Sequence, residues 1–312
     1  MNSRQLFLLL YIAVVGCGSA GAALSPEEVF VNRSKFEKLV ERGVGERWQS
    51  LPIGERAAKA GLALAGTPYV NYTLELHERV EVPSVNMNGM DCWTFFEIAL
   101  GTARAFSVSP RPRAEHLLAM IEKDRYRGGR CDGSFTSRLH HLEDWAYDNA
   151  RRGLVRDITP QLPGARKLTR ELAYMGENWK SFRQLRAAPK LIPEIRKMEA
   201  AISRRGIHYI PKASVPAVEK LLRNGDVISI VTTWPGTYTS HVGMAVRDQK
   251  GVLRFLHASR NHRKVILDER LSTYLAANGK HMGIFVSRPL DVVADGLAGD
   301  ADVGKHLAEA VR

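Results

Sequence analysis

Helical patterning fills the first two thirds of the chain, and alternating, strand-like runs fill the last third. Residues 25–62 read as helical, opened by Ser25-Pro-Glu-Glu28, with proline in the first turn and acids behind it. Gly66-Thr-Pro-Tyr69 breaks that pattern, and the alternation from Tyr72 to Val82 predicts a strand. Asn86 to Met90 reads as a loop that delivers Asp91 as the N-cap of a helix over Cys92–Phe106. Further helices are expected over 114–123 and from the Ser134–Trp145 segment to about Gly153. The block from about 165 to 223 is basic, rich in Arg, Lys, Leu and Ala, and reads as mostly helical. Strands are expected over 226–233, 240–247, 252–258 and 283–288. The tail after Leu290 is rich in Ala, Asp and Gly. Helices first and strands later indicate an α+β fold, with no internal repeat.

The hairpin between the second and third of those strands fixes a register. Asp248-Gln-Lys-Gly251 carries Asp and Gly at the first and fourth positions, the pattern of a type I turn followed by a left-handed glycine. Asp248 then faces Val252, facing positions share parity, and His241 and His257 point to one face of the sheet.

Composition adds a compartment. Arg4, the apolar run Leu6–Val15 and the small residues through Ala23 form an export leader, with Ala20-Gly21-Ala22 as a cleavage site. Val14-Val15-Gly16-Cys17 is similar to a bacterial lipoprotein box, which would make Cys17 a lipidated first residue; cleavage near Ala22 is the alternative. Both imply export to the periplasm or cell envelope, with membrane contact only through a lipid at Cys17. The formal charge of +12 becomes +11 without Arg4, which suits a polyanionic surface. Dispersed arginines without interleaved aromatics give no nucleic-acid motif. Outside the leader only Cys92 and Cys131 remain. A disulfide between them would remove a thiolate, and a chain of this length can bury a core without one.

Cysteine at a helix start and histidine on a strand are the two halves of a thiol–imidazole nucleophile. Unsatisfied N–H groups at a helix N-terminus favour the thiolate, so a lowered thiol pKa is expected for Cys92. His241 would take the proton and return it to a leaving amine, with His257 as its orienter. Against this stands the commoner role of cysteine as a small core hydrophobe, and of His257 as a half-buried, satisfied histidine.

Gly66-Thr-Pro-Tyr69, Asp91-Cys92, Gly225-Asp226, Ser240-His241-Val-Gly243 and Leu256-His257-Ala258 together resemble the NlpC-type superfamily of papain-like cell-wall cysteine hydrolases, over roughly 60–130 and 224–290. Asp-Cys-Trp-Thr-Phe at 91–95 with Glu97, Ser137-Arg-Leu-His140 with Trp145, and Gly283-Ile-Phe-Val-Ser-Arg-Pro289 resemble its cysteine N-acetylmuramoyl-L-alanine amidase branch, long catalogued as a domain of unknown function. The resemblance implies a catalytic Cys at a helix N-terminus packed on an antiparallel sheet or half-barrel. It implies Cys92 as nucleophile, His241 as base then acid, His257 as third polar residue, and Tyr69 beside the thiol in the oxyanion region with the Cys92 N–H. Asp91 in peptidase relatives binds a substrate amine; a simple N-cap serves equally here. Trp93, where those peptidases carry serine, favours the amidase branch.

Arg138 is a candidate for holding a substrate carboxylate, with His140 beside it, and an ordinary charged helix N-terminus is the alternative. His140-His141 with Glu143 and Asp144 also raises zinc, but adjacent helical residues diverge and His-Glu-x-x-His spacing is absent. The expectation is therefore an exported, cofactor-independent, papain-like amidase domain over 25–290. It follows a leader over 1–22, contains a helical insertion over about 150–223 and ends in a tail over 291–312. Its substrate is peptidoglycan or a muropeptide, cleaved at the N-acetylmuramoyl–L-alanine amide. The alternatives are a γ-D-glutamyl endopeptidase and a non-catalytic wall-binding lipoprotein.

Overall fold

The computed structural model describes residues 24–291, so the leader with Cys17 and the tail beyond Asp291 lie outside the described residues. Helices α1 (Arg33–Gly45), α2 (Ile53–Ala63), α3 (Cys92–Val108), α4 (Ala114–Arg125) and α5 (Leu142–Arg151) come first. Short strands β1 (Val155–Asp157) and β2 (Arg166–Leu168), helix α6 (Ile192–Arg205) and strand β3 (Ile207–Pro211) follow. Strands β4 (Val227–Thr232), β5 (Thr239–Arg247), β6 (Leu253–Ser259) and β7 (Lys264–Arg270), helix α7 (Leu271–Ala276) and strand β8 (His281–Pro289) come last among the described residues. This is the α+β class expected from the sequence.

The central sheet runs β2-β3-β8-β4-β5-β6-β7, with β1 added against β8, and each pair is antiparallel. Alternation sends Val242, Met244 and Val246 to the core shared with α3, and Ala245 and Phe255 to a second core with α7. Helix α3 is apolar nearly all round and buried from Thr94 to Phe106, as a central helix requires. Its two charges are paired: Arg125 Nε donates to Glu97 Oε2 at 2.8 Å, and Arg104 Nε to Asp124 Oδ2 at 2.9 Å. Deleting one partner of such a pair would strand the other charge in the core.

The hairpin register is the expected one. Met244 faces Leu256 and Arg247 faces Leu253; the Asp248 N–H reaches the Val252 carbonyl at 3.0 Å, and Gly251 sits at φ 76°. Two expectations fail. Residues 72–82 form turns, because Tyr72 is left-handed (φ 62°) and His77 Nδ1 accepts the backbone N–H groups of Arg79 and Val80, closing the segment on itself. The block over 150–223 is no purely helical insertion: β1, β2 and β3 lie within it and join the main sheet. Its Arg/Lys/Leu/Ala composition hid Ile207-His-Tyr-Ile210, a β-branched and aromatic run released where Gly206 (φ 65°) ends α6.

Candidate active site

Cys92 is the first residue of α3. Asp91 caps that helix: its Oδ1 accepts the Thr94 backbone N–H at 2.8 Å, while Thr94 Oγ1 accepts the Asp91 N–H at 3.0 Å. The Asp91 carboxylate is thus committed to the cap, and the residue lies outside the cavity around Cys92. Burial, and then the Asp91 charge, push the Cys92 thiol up to about 12, although the N–H groups of Val242, Trp93 and Cys92 favour its anion. This corrects the expectation of a lowered pKa: the helix terminus acts on the thiol, and desolvation outweighs it.

His241 stands on β5 beside a bulge, where the pairing with β4 shifts between Ile230 and Val231. Across the hairpin its Nε2 lies 2.6 Å from His257 Nδ1, and His257 Nε2 lies 3.0 Å from Asp268 Oδ2. Gly243, on the same face, makes room for this contact; a Cβ there would stand 2.8 Å from His257 Cβ and 2.6 Å from the Leu256 carbonyl. Tyr274 and Phe255 pack against both imidazoles.

The proton positions follow from valence. Hydrogen bonding from His257 holds the Asp268 carboxyl below its usual range, so it accepts only. His257 Nε2 therefore carries hydrogen. Burial keeps His257 neutral, so its Nδ1 is a bare acceptor and His241 Nε2 must donate. His241 Nδ1 is left as the basic nitrogen. Burial, with His257 and His281 nearby, holds His241 well below the usual histidine value. At neutral pH the resting pair is a neutral thiol and a neutral imidazole.

Asp268, on β7, was not anticipated. Ile266 faces His257, so Asp268 two residues on shares its face. The Val265-Ile-Leu267 run was the available signal, but its hairpin turn is built around left-handed Arg263 (φ 56°), without the glycine that usually marks such a turn.

Cys92, Ser240 and His241 form the waist of a two-lobed cavity. The larger lobe, about 800 Å³, includes Tyr69, Trp234, Arg260, Lys280 and His281. The smaller, about 240 Å³, includes Trp93, His140, His141, Met175 and Phe182. Burial, and then Cys92 and Asp91, raise the Tyr69 hydroxyl to about 12, so it is a neutral donor beside the thiol. His140 Nε2 is bonded to the Phe135 carbonyl at 2.7 Å. Arg138 is not brought to Cys92. It is buried, its guanidinium lies 3.5 Å from Glu81 and 3.6 Å from Glu75, and it covers the Phe135 ring. Those acidic side chains offset part of its charge, and Arg138 lines a cavity that shares Trp93, His140, Met175 and Phe182 with the smaller lobe. Among the described residues no three His, Cys, Asp or Glu side chains gather as a metal site, and the His141 nitrogens stand 3.9 Å from Glu143 and Glu199.

Glu143 supports this wall. Thr239 Oγ1 donates to its Oε2 at 3.1 Å, and burial raises its carboxyl to about 7. A carboxyl raised from 4.5 to about 7 contributes stability that is present below 4.5 and lost as pH rises through 7. Glu143→Gln should therefore gain in thermal stability over the parent between pH 4.5 and 7, levelling off above, by on the order of 3 kcal/mol. Parallel melting curves across pH 5 to 8 check this, and a pH-independent difference would contradict it.

The chain is similar to several known proteins. A family model described as AmiA-like, N-acetylmuramoyl-L-alanine amidase-like, matches residues 59–284. A crystal structure of an N-acetylmuramoyl-L-alanine amidase from Bacteroides uniformis is 31% identical, covering 77% of this chain and 99% of that one, with a TM-score of 0.70. A Bacteroides fragilis structure named as a xylanase candidate is 34% identical over 73% of this chain and 98% of that one (TM-score 0.66). A Legionella pneumophila protein, 21% identical over 84% and 97% of the two chains (TM-score 0.63), shares the fold. No curated protein matches the chain.

Proposed function

Because the chain belongs to the AmiA-like, N-acetylmuramoyl-L-alanine amidase-like family, we propose that it is a cysteine amidase of the papain-like type that cleaves the N-acetylmuramoyl–L-alanine bond of peptidoglycan or muropeptides. The observation that carries this reading is the His241–His257–Asp268 relay at 2.6 and 3.0 Å, in one cavity with Cys92 at a helix start.

In this mechanism the Cys92 sulfur attacks the lactyl carbonyl carbon while His241 Nδ1 takes the thiol proton, so the thiolate forms only as substrate arrives. The raised thiol and depressed imidazole favour that concerted transfer over a preformed ion pair. The Cys92 N–H and the neutral Tyr69 hydroxyl are the candidate donors to the oxyanion. The imidazolium, stabilised through His257 by the Asp268 charge, protonates the L-alanine nitrogen as the C–N bond breaks. Water, deprotonated by His241, then attacks the thioester and releases the lactyl acid and the thiol. Export, with or without a lipid on Cys17, would put the enzyme beside this substrate.

Mass analysis of a digest of one defined muropeptide tests the bond. Free stem peptide beginning with L-alanine is expected, together with the intact muramic acid sugar. Release of a muramoyl dipeptide would instead point to γ-D-glutamyl cleavage, and an unchanged muropeptide to a binding protein. In the same assay iodoacetamide should inactivate by alkylating Cys92, slowly at neutral pH where the thiol is protonated and faster as pH rises, and a chelator should leave the rate unchanged. Loss with the chelator and recovery with zinc would overturn the cysteine mechanism.

A further inference from the structure

Trp234 is 53% exposed at the rim of the larger lobe, in the loop that joins β4 to β5 just before His241. Exposing so large an apolar ring is unfavourable, yet the loop is held rigidly. Arg170 Nη1 lies 2.7, 3.0 and 2.8 Å from the carbonyl oxygens of Thr232, Trp234 and Thr237. The Arg170 backbone N–H donates to the Tyr238 hydroxyl at 2.8 Å, and that hydroxyl donates back to the Arg170 carbonyl at 3.0 Å. The Ala173 and Tyr174 N–H groups both reach the Gly236 carbonyl at 3.2 Å. A guanidinium spent on three loop carbonyls fixes the backbone that carries the exposed indole, which lowers the entropy cost of using it for binding.

The lobe behind the ring supplies the complement. Its walls mix apolar surface with the polar side chains of Arg260, Asn261 and Lys280, and its volume of about 800 Å³ suits a ligand of several rings. The opposite lobe holds about 240 Å³ between Trp93, Met175 and Phe182. A flat aromatic face beside hydrogen-bond donors matches a pyranose ring, which presents C–H groups on its face and hydroxyl or amide oxygens at its edge. The short alanyl end of a peptide matches the small, apolar lobe.

We propose that Trp234, held in place by Arg170, is a stacking platform for a pyranose ring of the substrate glycan, so that the larger lobe binds the sugar side of the scissile bond and the smaller lobe the peptide side. This rests on the amidase reading above. Arg170 is a positioning residue; it touches the loop and not the sugar.

The test uses the Cys92→Ala chain with two separate probes, the N-acetylglucosaminyl–N-acetylmuramic acid disaccharide and the free L-alanyl stem peptide, titrated calorimetrically. Trp234→Ala should weaken disaccharide binding about tenfold and leave peptide binding unchanged, while Trp234→Phe retains most of the affinity. Arg170→Ala should weaken disaccharide binding similarly, and combining it with Trp234→Ala should add nothing, which a general loss of structure would not produce. Unaltered disaccharide affinity in Trp234→Ala overturns the proposal, as does a loss confined to the peptide. Hydrolysis of the intact muropeptide by the Cys92-containing chain is followed alongside. If it occurs while Trp234 is silent, the platform alone fails; if the muramoyl–L-alanine bond is never cut, the amidase reading fails.

Discussion

Replacing Cys92 by alanine is expected to abolish turnover, a fall on the order of 10⁴-fold or more, while the protein stays folded. The cap of α3 is made by Asp91 and Thr94, not by Cys92. Alanine is the strongest helix former, and the exchange removes a single heavy atom from a partly exposed residue, so packing is little changed. Circular dichroism and melting temperature should match the parent, and initial rates on a defined muropeptide give the loss. Residual activity above about one per cent would be incompatible with Cys92 as the nucleophile.

The second large effect concerns the relay. His241→Ala removes the base itself and should cost about as much as Cys92→Ala. His257→Ala should cost less, about 10²-fold, because its orienting role does not include proton transfer to substrate; His257→Asn or Gln should recover part of the loss. Asp268→Asn is the sharpest variant. Asp268 Oδ1 accepts the Glu269 N–H at 2.8 Å, so an asparagine oxygen held there turns its NH₂ toward His257. His257 Nε2 would then lose its hydrogen, Nδ1 would gain one, and the hydrogen of His241 would move to the nitrogen that must be bare. A loss on the order of 10³-fold is expected, larger than for Asp268→Ala, which imposes no tautomer. The acid limb of kcat/KM gives an independent readout. Catalysis needs neutral His241, so activity falls as pH drops through its depressed pKa; Asp268 raises that pKa, and its removal should move the limb to lower pH. Equal losses in Asp268→Asn and Asp268→Ala, with an unmoved limb, would reject the tautomer assignment.

Much of the site follows from local rules acting on neighbouring residues. Asp91 before an apolar run marks a helix start, because a short side-chain acceptor satisfies the free N–H groups there. Asp248 and Gly251 set a hairpin, because only certain residues accept the turn's dihedrals. The two-residue period of a strand then carries that register back to His241 and His257, which do meet. The order of helices and strands gave the fold class for the same reason.

What depends on distant segments was not legible. Whether a thiol at a helix start is acidic depends on how much surrounding chain desolvates it, and here burial reverses the expected shift. Arg138 looked available until Glu75 and Glu81, more than fifty residues upstream, were folded against it. Asp268 entered only with a hairpin that lacks the usual glycine, and Arg170 reaches its three carbonyls across more than sixty residues. A sequence determines hydrogen-bond partners within a turn or a strand pair, where the backbone geometry is repetitive. Desolvation and long-range charge pairing depend on which segments close around a group, and only the tertiary structure decides that.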